Sequence, residues 1–197
     1  MSESNNQKFN HLKIHTQYSI CEGAIKIENL KDFCKSKKIP CLGISDTSNL
    51  CGALEFSENI SKVGTQPIVG TQIYFTFEDT TGLLPIIALN EKGYKRIIEL
   101  SSKSYLENDA LSEPHLNIMD LLIETDGVVL LSGSIQGLFG RLFQKGRFEE
   151  ITKLYKNLSS KFNDRFYLEI QRHEDQNERA FEKFNLKQSS EIKIPII

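Results

Sequence analysis

The chain has 197 residues, 39% of them hydrophobic and 25% charged, which suits one globular domain with a substantial core. Its formal net charge of -2, spread without blocks of one sign, argues against an autonomous nucleic-acid binder. No stretch approaches the ~18 apolar residues of a membrane span, and the polar opening Met1 to Lys8 has no apolar signal core.

Residues 1–8 are expected to be a disordered tail. Phe9 to Ser19 reads as a strand running into a Thr/Gln/Ser turn, with His11, Lys13 and His15 on one face, because alternate strand residues share a face. A His-x-His pair ending a first strand is a common opening for a metallohydrolase cluster, since two neutral imidazoles grip one ion. Here the middle of the row is Lys13, a cation that repels a metal, so the segment looks like a metal-site scaffold that has lost its metal. After Gly23-Ala24, the spacing of Ile27, Leu30, Phe33 and Cys34 predicts an amphipathic helix, stopped at Ile39-Pro40. Cys41 to Ser45 reads as a short buried strand, and Asn49 to Val63 as a helix closed by Gly64. Pro67 to Phe77 is a predicted strand bulged at Gly70. Thr80 to Gly82 reads as a turn and Leu83 to Leu89 as an apolar strand. Glu91 to Tyr105 is a predicted helix with Tyr94, Ile97, Ile98 and Ser101 along one side.

Glu107 to Asn117, with Pro114, is expected to be irregular. A short helix over Ile118 to Glu124 and a buried strand over Gly127 to Leu131 follow, then helices near Ile135 to Gln144 and Arg147 to Phe162. Phe166 to Ile170 reads as a strand and Gln176 to Gln188 as a helix. Ile194 to Ile197 reads as a strand opening. The alternation of strands and helices predicts a mostly parallel sheet or barrel. A last strand cut at its apolar start leaves a barrel open, so the residues read as the front piece of a longer chain. A short edge strand is the alternative.

The four cysteines, Cys21, Cys34, Cys41 and Cys51, include no C-x-x-C pair. They read as reduced thiols of a cytoplasmic protein rather than a zinc knuckle. Gly133 to Gly140 follows a predicted strand and opens a helix, the setting of a phosphate-cradling turn, with close strand–helix packing as the other reading. His11 and His173 fit structural hydrogen bonds better than ligation. Gln171-Arg172-His173 is a candidate anion or domain contact, and Tyr18 and Tyr105 are read as packing residues.

His11 to Ser19 followed by Glu22 to Ile27 resembles the opening of the PHP (polymerase and histidinol phosphatase) domain of bacterial DNA polymerase III alpha subunits. Further segments are similar in order and spacing: Ile44 to Phe56, Pro67 to Tyr74, Asn90 to Tyr94 with Leu100 to Ser102, Leu131 to Ser134, and Phe166 to His173. The resemblance covers the chain from Phe9 onward. It implies an α/β fold, a distorted (β/α)7 barrel incomplete at its C-terminal end, with residues 9–197 forming a truncated PHP domain. The family's last barrel elements, with its final Asp-x-His motif, and its polymerase domains would follow Ile197.

An active site of this family holds divalent ions that generate hydroxide at a phosphoester. Matched position by position, His15 and Asp46 keep ligand types, and Glu22 offers a carboxylate where Asp is usual. Lys13 replaces the first His, Thr47 stands where His is common, and Gln72 where a bridging Glu is usual. Leu83 falls near another frequent His, and Ser134 takes a position where Cys is common. Lys and Leu offer a metal no lone pair at neutral pH, and Gln is a weak donor. His15, Glu22 and Asp46 are left as a weak metal set, expected to be empty, and no catalytic residue is assigned. Lys13 is expected to sit among Glu22 and Asp46.

The resemblance implies a metal-free structural module of a replicative polymerase that docks the proofreading exonuclease subunit and other replicase subunits. DNA would be met only through the intact polymerase, whose cofactor is Mg²⁺. Zn²⁺ or Mn²⁺ would enter only if this site were active, as in the alternative reading of a metal-dependent phosphoesterase or 3′–5′ exonuclease. No membrane partner is expected.

Overall fold

A computed structural model describes residues 9–109 and 111–197; the tail expected over residues 1–8 lies outside the described residues. Elements appear where burial periodicity predicts them, with ends set by local chemistry. Helix α1 (Ile27–Lys37) buries Ile27, Leu30 and Cys34, while Phe33 stays exposed. Glu28 in its first turn and Lys35 and Lys37 in its last complement the helix dipole. Strand β1 (Cys41–Thr47) follows. Helix α2 (Ala53–Ser61) begins four residues later than Asn49. The Asn49 side chain accepts from Cys51 N at 3.0 Å and donates to the Tyr18 and Thr47 carbonyls, each at 2.9 Å. That competes with helical hydrogen bonding and holds a turn instead.

Strands β2 (Gln66–Phe77) and β3 (Thr80–Ala88) form an antiparallel hairpin. Its turn is Glu78-Asp79, with Glu78 at φ 52°, not Thr80 to Gly82, which pair with Phe77 to Phe75. Register runs unbroken through Gly70 on both sides, so there is no bulge. Gly70 instead admits a close neighbour, since a Cβ there would lie 2.7 Å from Ile86 O.

Helix α3 (Glu91–Leu106) is capped by Asn90, whose side chain accepts from Gly93 N. It buries Arg96, Ile97, Leu100 and Ser104, a face rotated from the predicted one, and Ile98 is exposed. The expected irregular linker contains a short strand, β4 (His115–Asn117), parallel to the tip of β2. A 3₁₀ turn (Ile118–Leu122) with an Asn117/Asp120 capping box leads on to strand β5 (Val128–Leu131). Helices α4 (Leu138–Gln144) and α5 (Phe148–Phe162) follow, then the two-residue strand β6 (Phe166–Tyr167) and helix α6 (Glu178–Ile192).

The sheet order is β1-β2-β3-β5-β6, with β4 off the path against β2. Ile14 bridges to Ile44 beside β1, and Ile196 bridges to Leu168 beyond β6. The sheet is mostly parallel, as predicted, and is mixed only through β3, which runs against both its neighbours because a two-residue turn can only return the chain antiparallel. It does not close on itself, which makes this an incomplete, distorted barrel. One large core lies around β2, β3, β5 and helices α3 to α6, and a smaller one lies between α1, α2 and β1. Among the described residues no helix is long and apolar enough to cross a membrane.

Candidate functional site

A cavity of about 620 Å³ opens where β5 and β6 end, in the size range of small-molecule sites. Lys13, His15, Gln72, Ser134, Glu169 and His173 line it, over an apolar wall that includes Leu83 and Pro85. The predicted first strand over Phe9 to Ser19 does not form: that segment makes only isolated bridges at Ile14 and Thr16, and Asn10, Leu12 and His11 border the cavity along with Lys13 and His15. Asp46, Glu22 and Thr47 do not border it.

Asp46 is 1% exposed. Its carboxylate accepts from Thr16 N at 2.6 Å, Thr16 Oγ1 at 2.8 Å and Ser19 Oγ at 2.7 Å. Both oxygens are thus spent on pinning the first loop to β1. Glu22 accepts a hydrogen bond from Thr47 Oγ1, which in turn accepts from Gln72 Nε2 at 2.8 Å. Three expected site positions therefore form a polar chain beside the cavity rather than a shell around an ion.

Lys13 does not sit among Glu22 and Asp46. Its ammonium pairs with Glu169 Oε1 at 3.0 Å, with the side chains 19% and 9% exposed. Gln171 Nε2 donates to the same oxygen, and Glu169 N donates to Ser132 Oγ at 2.9 Å. The pair joins the segment flanking β1 to the stretch just after β6, spanning the open side of the sheet. Glu169 was not among the residues singled out by motif. The available signal was a single carboxylate inside the apolar run Phe166 to Ile170, which needs a partner once buried.

His15 Nδ1 is buried without a hydrogen-bond partner. Burial holds the imidazole below its ordinary 6.5; Glu22 opposes this, Lys13 reinforces it and Asp46 opposes it. The ring is therefore neutral at neutral pH. Ser134 Oγ accepts from Gln136 N at 3.2 Å and serves a turn. The nearby glycines serve packing: a Cβ on Gly137 would lie 2.8 Å from Leu83 O, and one on Gly140 would collide with the Ile135 backbone.

The other histidines are structural or peripheral. His11 is exposed and meets Phe9 edge-on, His115 Nδ1 lies 2.9 Å from Glu113 O, and His173 N donates to Glu178 Oε2 at 2.6 Å. Arg172 is paired with Glu182 at 2.6 Å. Tyr18 donates to Glu55 at 2.7 Å, while Tyr105 is exposed rather than packed.

Among the described residues no three His, Cys, Asp or Glu side chains stand together so as to hold a metal ion. The donor set does not fit a multi-metal cluster on its own chemistry either. Asp46 is saturated by neighbours, Gln72 is neutral, and an ammonium occupies the row where an imidazole would be needed.

The family model described as PHP domain matches residues 11–173. The chain is 35% identical over 186 residues to DNA polymerase III subunit alpha of Caulobacter vibrioides, covering 88% of this chain and 16% of that protein. It is 31% identical over 191 residues to DNA polymerase III subunit alpha of Rickettsia conorii, covering 96% of this chain and 16% of that protein. The chain thus spans about a sixth of the length of these relatives. A solved structure from Bifidobacterium adolescentis, described as a candidate metal-dependent phosphoesterase, shares the fold. Its TM-score is 0.58 at 13% identity, over 95% of this chain and 85% of that one.

Proposed function

The chain belongs to the PHP domain family, and we propose that it works as a metal-free structural and docking module within a DNA polymerase III alpha subunit. DNA-templated synthesis is carried, in this reading, by parts of the polypeptide outside these residues, with Mg²⁺ as cofactor. The module's partners are the proofreading exonuclease subunit and other replicase subunits, and its place is the cytoplasm, in keeping with four free cysteines.

The observation that carries the proposal is the Lys13–Glu169 pair, which puts a fixed cation and its counter-ion where a hydrolytic site of this family would gather metal ligands. A metal-dependent phosphoesterase needs a Lewis acid or a metal-bound hydroxide, and this donor set does not fit the ions that would supply them. An immunoblot of source cells is expected to show a band several times heavier than 22.5 kDa. The purified polypeptide is expected to retain the exonuclease subunit, and this segment to hydrolyse no phosphoester. Manganese-stimulated hydrolysis that disappears in His15→Ala would overturn the proposal in favour of a metal-dependent phosphoesterase or 3′–5′ exonuclease.

A further inference from the structure

Beside Glu169 lies a second and much smaller space of about 10 Å³, which shares Ser134, Glu169, Ile170 and Gln171 with the lining of the open cavity. Glu169 and Asn185 both border it. Two of the buried side-chain atoms that find no partner in the protein are Glu169 Oε2 and Asn185 Nδ2. One is an acceptor and the other a donor, and each costs free energy if left dry. Asn185 is fully buried on α6, so neither reorientation into solvent nor bulk hydration relieves it.

The amide's orientation follows from its other end. Tyr155 Oη on α5 donates to Asn185 Oδ1 at 3.1 Å. The carbonyl oxygen is therefore taken, and Nδ2 is the atom left over. The remaining polar groups around the space are engaged elsewhere: Glu178 accepts from His173 N and Asp175 N, and Glu182 accepts from Arg172. A space of roughly 10–15 Å³ holds one water molecule when at least two polar partners face it. A cation is excluded there by the amide hydrogens, and an anion by the carboxylate.

We infer that a single structural water molecule binds between Asn185 Nδ2 and Glu169 Oε2, accepting from the amide and donating to the carboxylate. The Lys13–Glu169 pair then becomes one end of a continuous buried polar thread. It runs from the first segment through Glu169, the water and Asn185 to Tyr155, tying the open side of the sheet to α6 and α5. This goes beyond the docking role and does not depend on it; loss of exonuclease binding would sink that role and leave the water site untouched.

A crystal structure of the natural full-length chain that resolves ordered solvent is expected to show one peak within hydrogen-bonding distance of both atoms. In Asn185→Leu, which removes the donor and fills the space, the peak is expected to vanish while Lys13–Glu169 remains. A dry cavity, or Asn185 Nδ2 moved into direct contact with Glu169 Oε2, overturns the inference. Should Asn185→Leu fail to fold, Asn185→Ser keeps a hydroxyl at the site and is expected to keep solvent density there; none would overturn it equally. In thermal melts, Lys13→Met and Asn185→Leu are expected to lower the melting temperature by less together than the sum of their separate effects, as members of one network do. Strict additivity would mean the thread is not continuous.

Discussion

Removing the ammonium of Lys13 strands the Glu169 carboxylate, 9% exposed, beside an apolar wall. Breaking a buried pair costs about 3–5 kcal/mol, and the residual exposure of Lys13 brings the expectation for Lys13→Met to about 2–4 kcal/mol in urea unfolding. Glu169→Gln, which retains hydrogen-bonding capacity and no unpaired anion, should lose less. A wild-type midpoint for Lys13→Met would remove the pair from any structural role. His15 carries a second expectation. Its folded value lies below 6.5, so the unfolded chain binds more protons in that window and stability rises with pH there. Stability is therefore full above 6.5 and falls as the pH drops from 6.5 through the folded value. His15→Gln should flatten this limb of a melting-temperature profile, whereas an unchanged limb would assign it to other groups. The ion-paired carboxylates Glu150 and Glu182, held below 4.5 by Arg147 and Arg172, titrate later.

Among the elements, the β2–β3 hairpin is the one that turns an otherwise parallel sheet mixed, and α4 lies across it without a spacer. A Cβ on Gly82 would meet the Leu138 backbone at the start of α4, so Gly82→Ala must push helix and strand apart. Overpacking of this kind costs about 1–3 kcal/mol, readable as a lowered midpoint without a changed slope in denaturant. The hairpin's turn is held by Arg147. Its guanidinium pairs with Glu78, Asp79 and Glu150 and stands 5.4 Å from the centre of the Phe77 ring. A planar fork suits that position better than a lysine point charge.

For the molecule as a whole, the question is what holds the open side of the sheet. In this reading protein charges do so, and a ligand that binds only the folded state would add stability in proportion to its occupancy. An ion at one hundred times its dissociation constant adds about 2.7 kcal/mol. Chelation, or addition of Zn²⁺ or Mn²⁺, is therefore expected to leave the melting temperature where it was. A rise on adding metal that His15→Ala abolishes would reveal a site assembled from these residues after all.

Most helix and strand identities and the family itself are legible in the residues, but the first segment, read as a strand, makes only isolated bridges. Helix identity depends on spacing along the chain: Ile27, Leu30 and Cys34 recur at helical period. Local boundaries were less legible where a side chain could take over backbone bonding, as Asn49 does, or where a two-residue turn at Glu78-Asp79 competed with a Thr/Gly run. The site's partners were not legible at all. Asp46 looks like a ligand by motif and is spent on Thr16 and Ser19, while Glu169 looks like an ordinary strand residue and becomes the counter-ion of Lys13. Sequence alone determined where most helices and strands run, because periodicity is a property of near neighbours. Only the tertiary structure decided which of them meet, because strand order and sheet curvature bring together groups 156 positions apart.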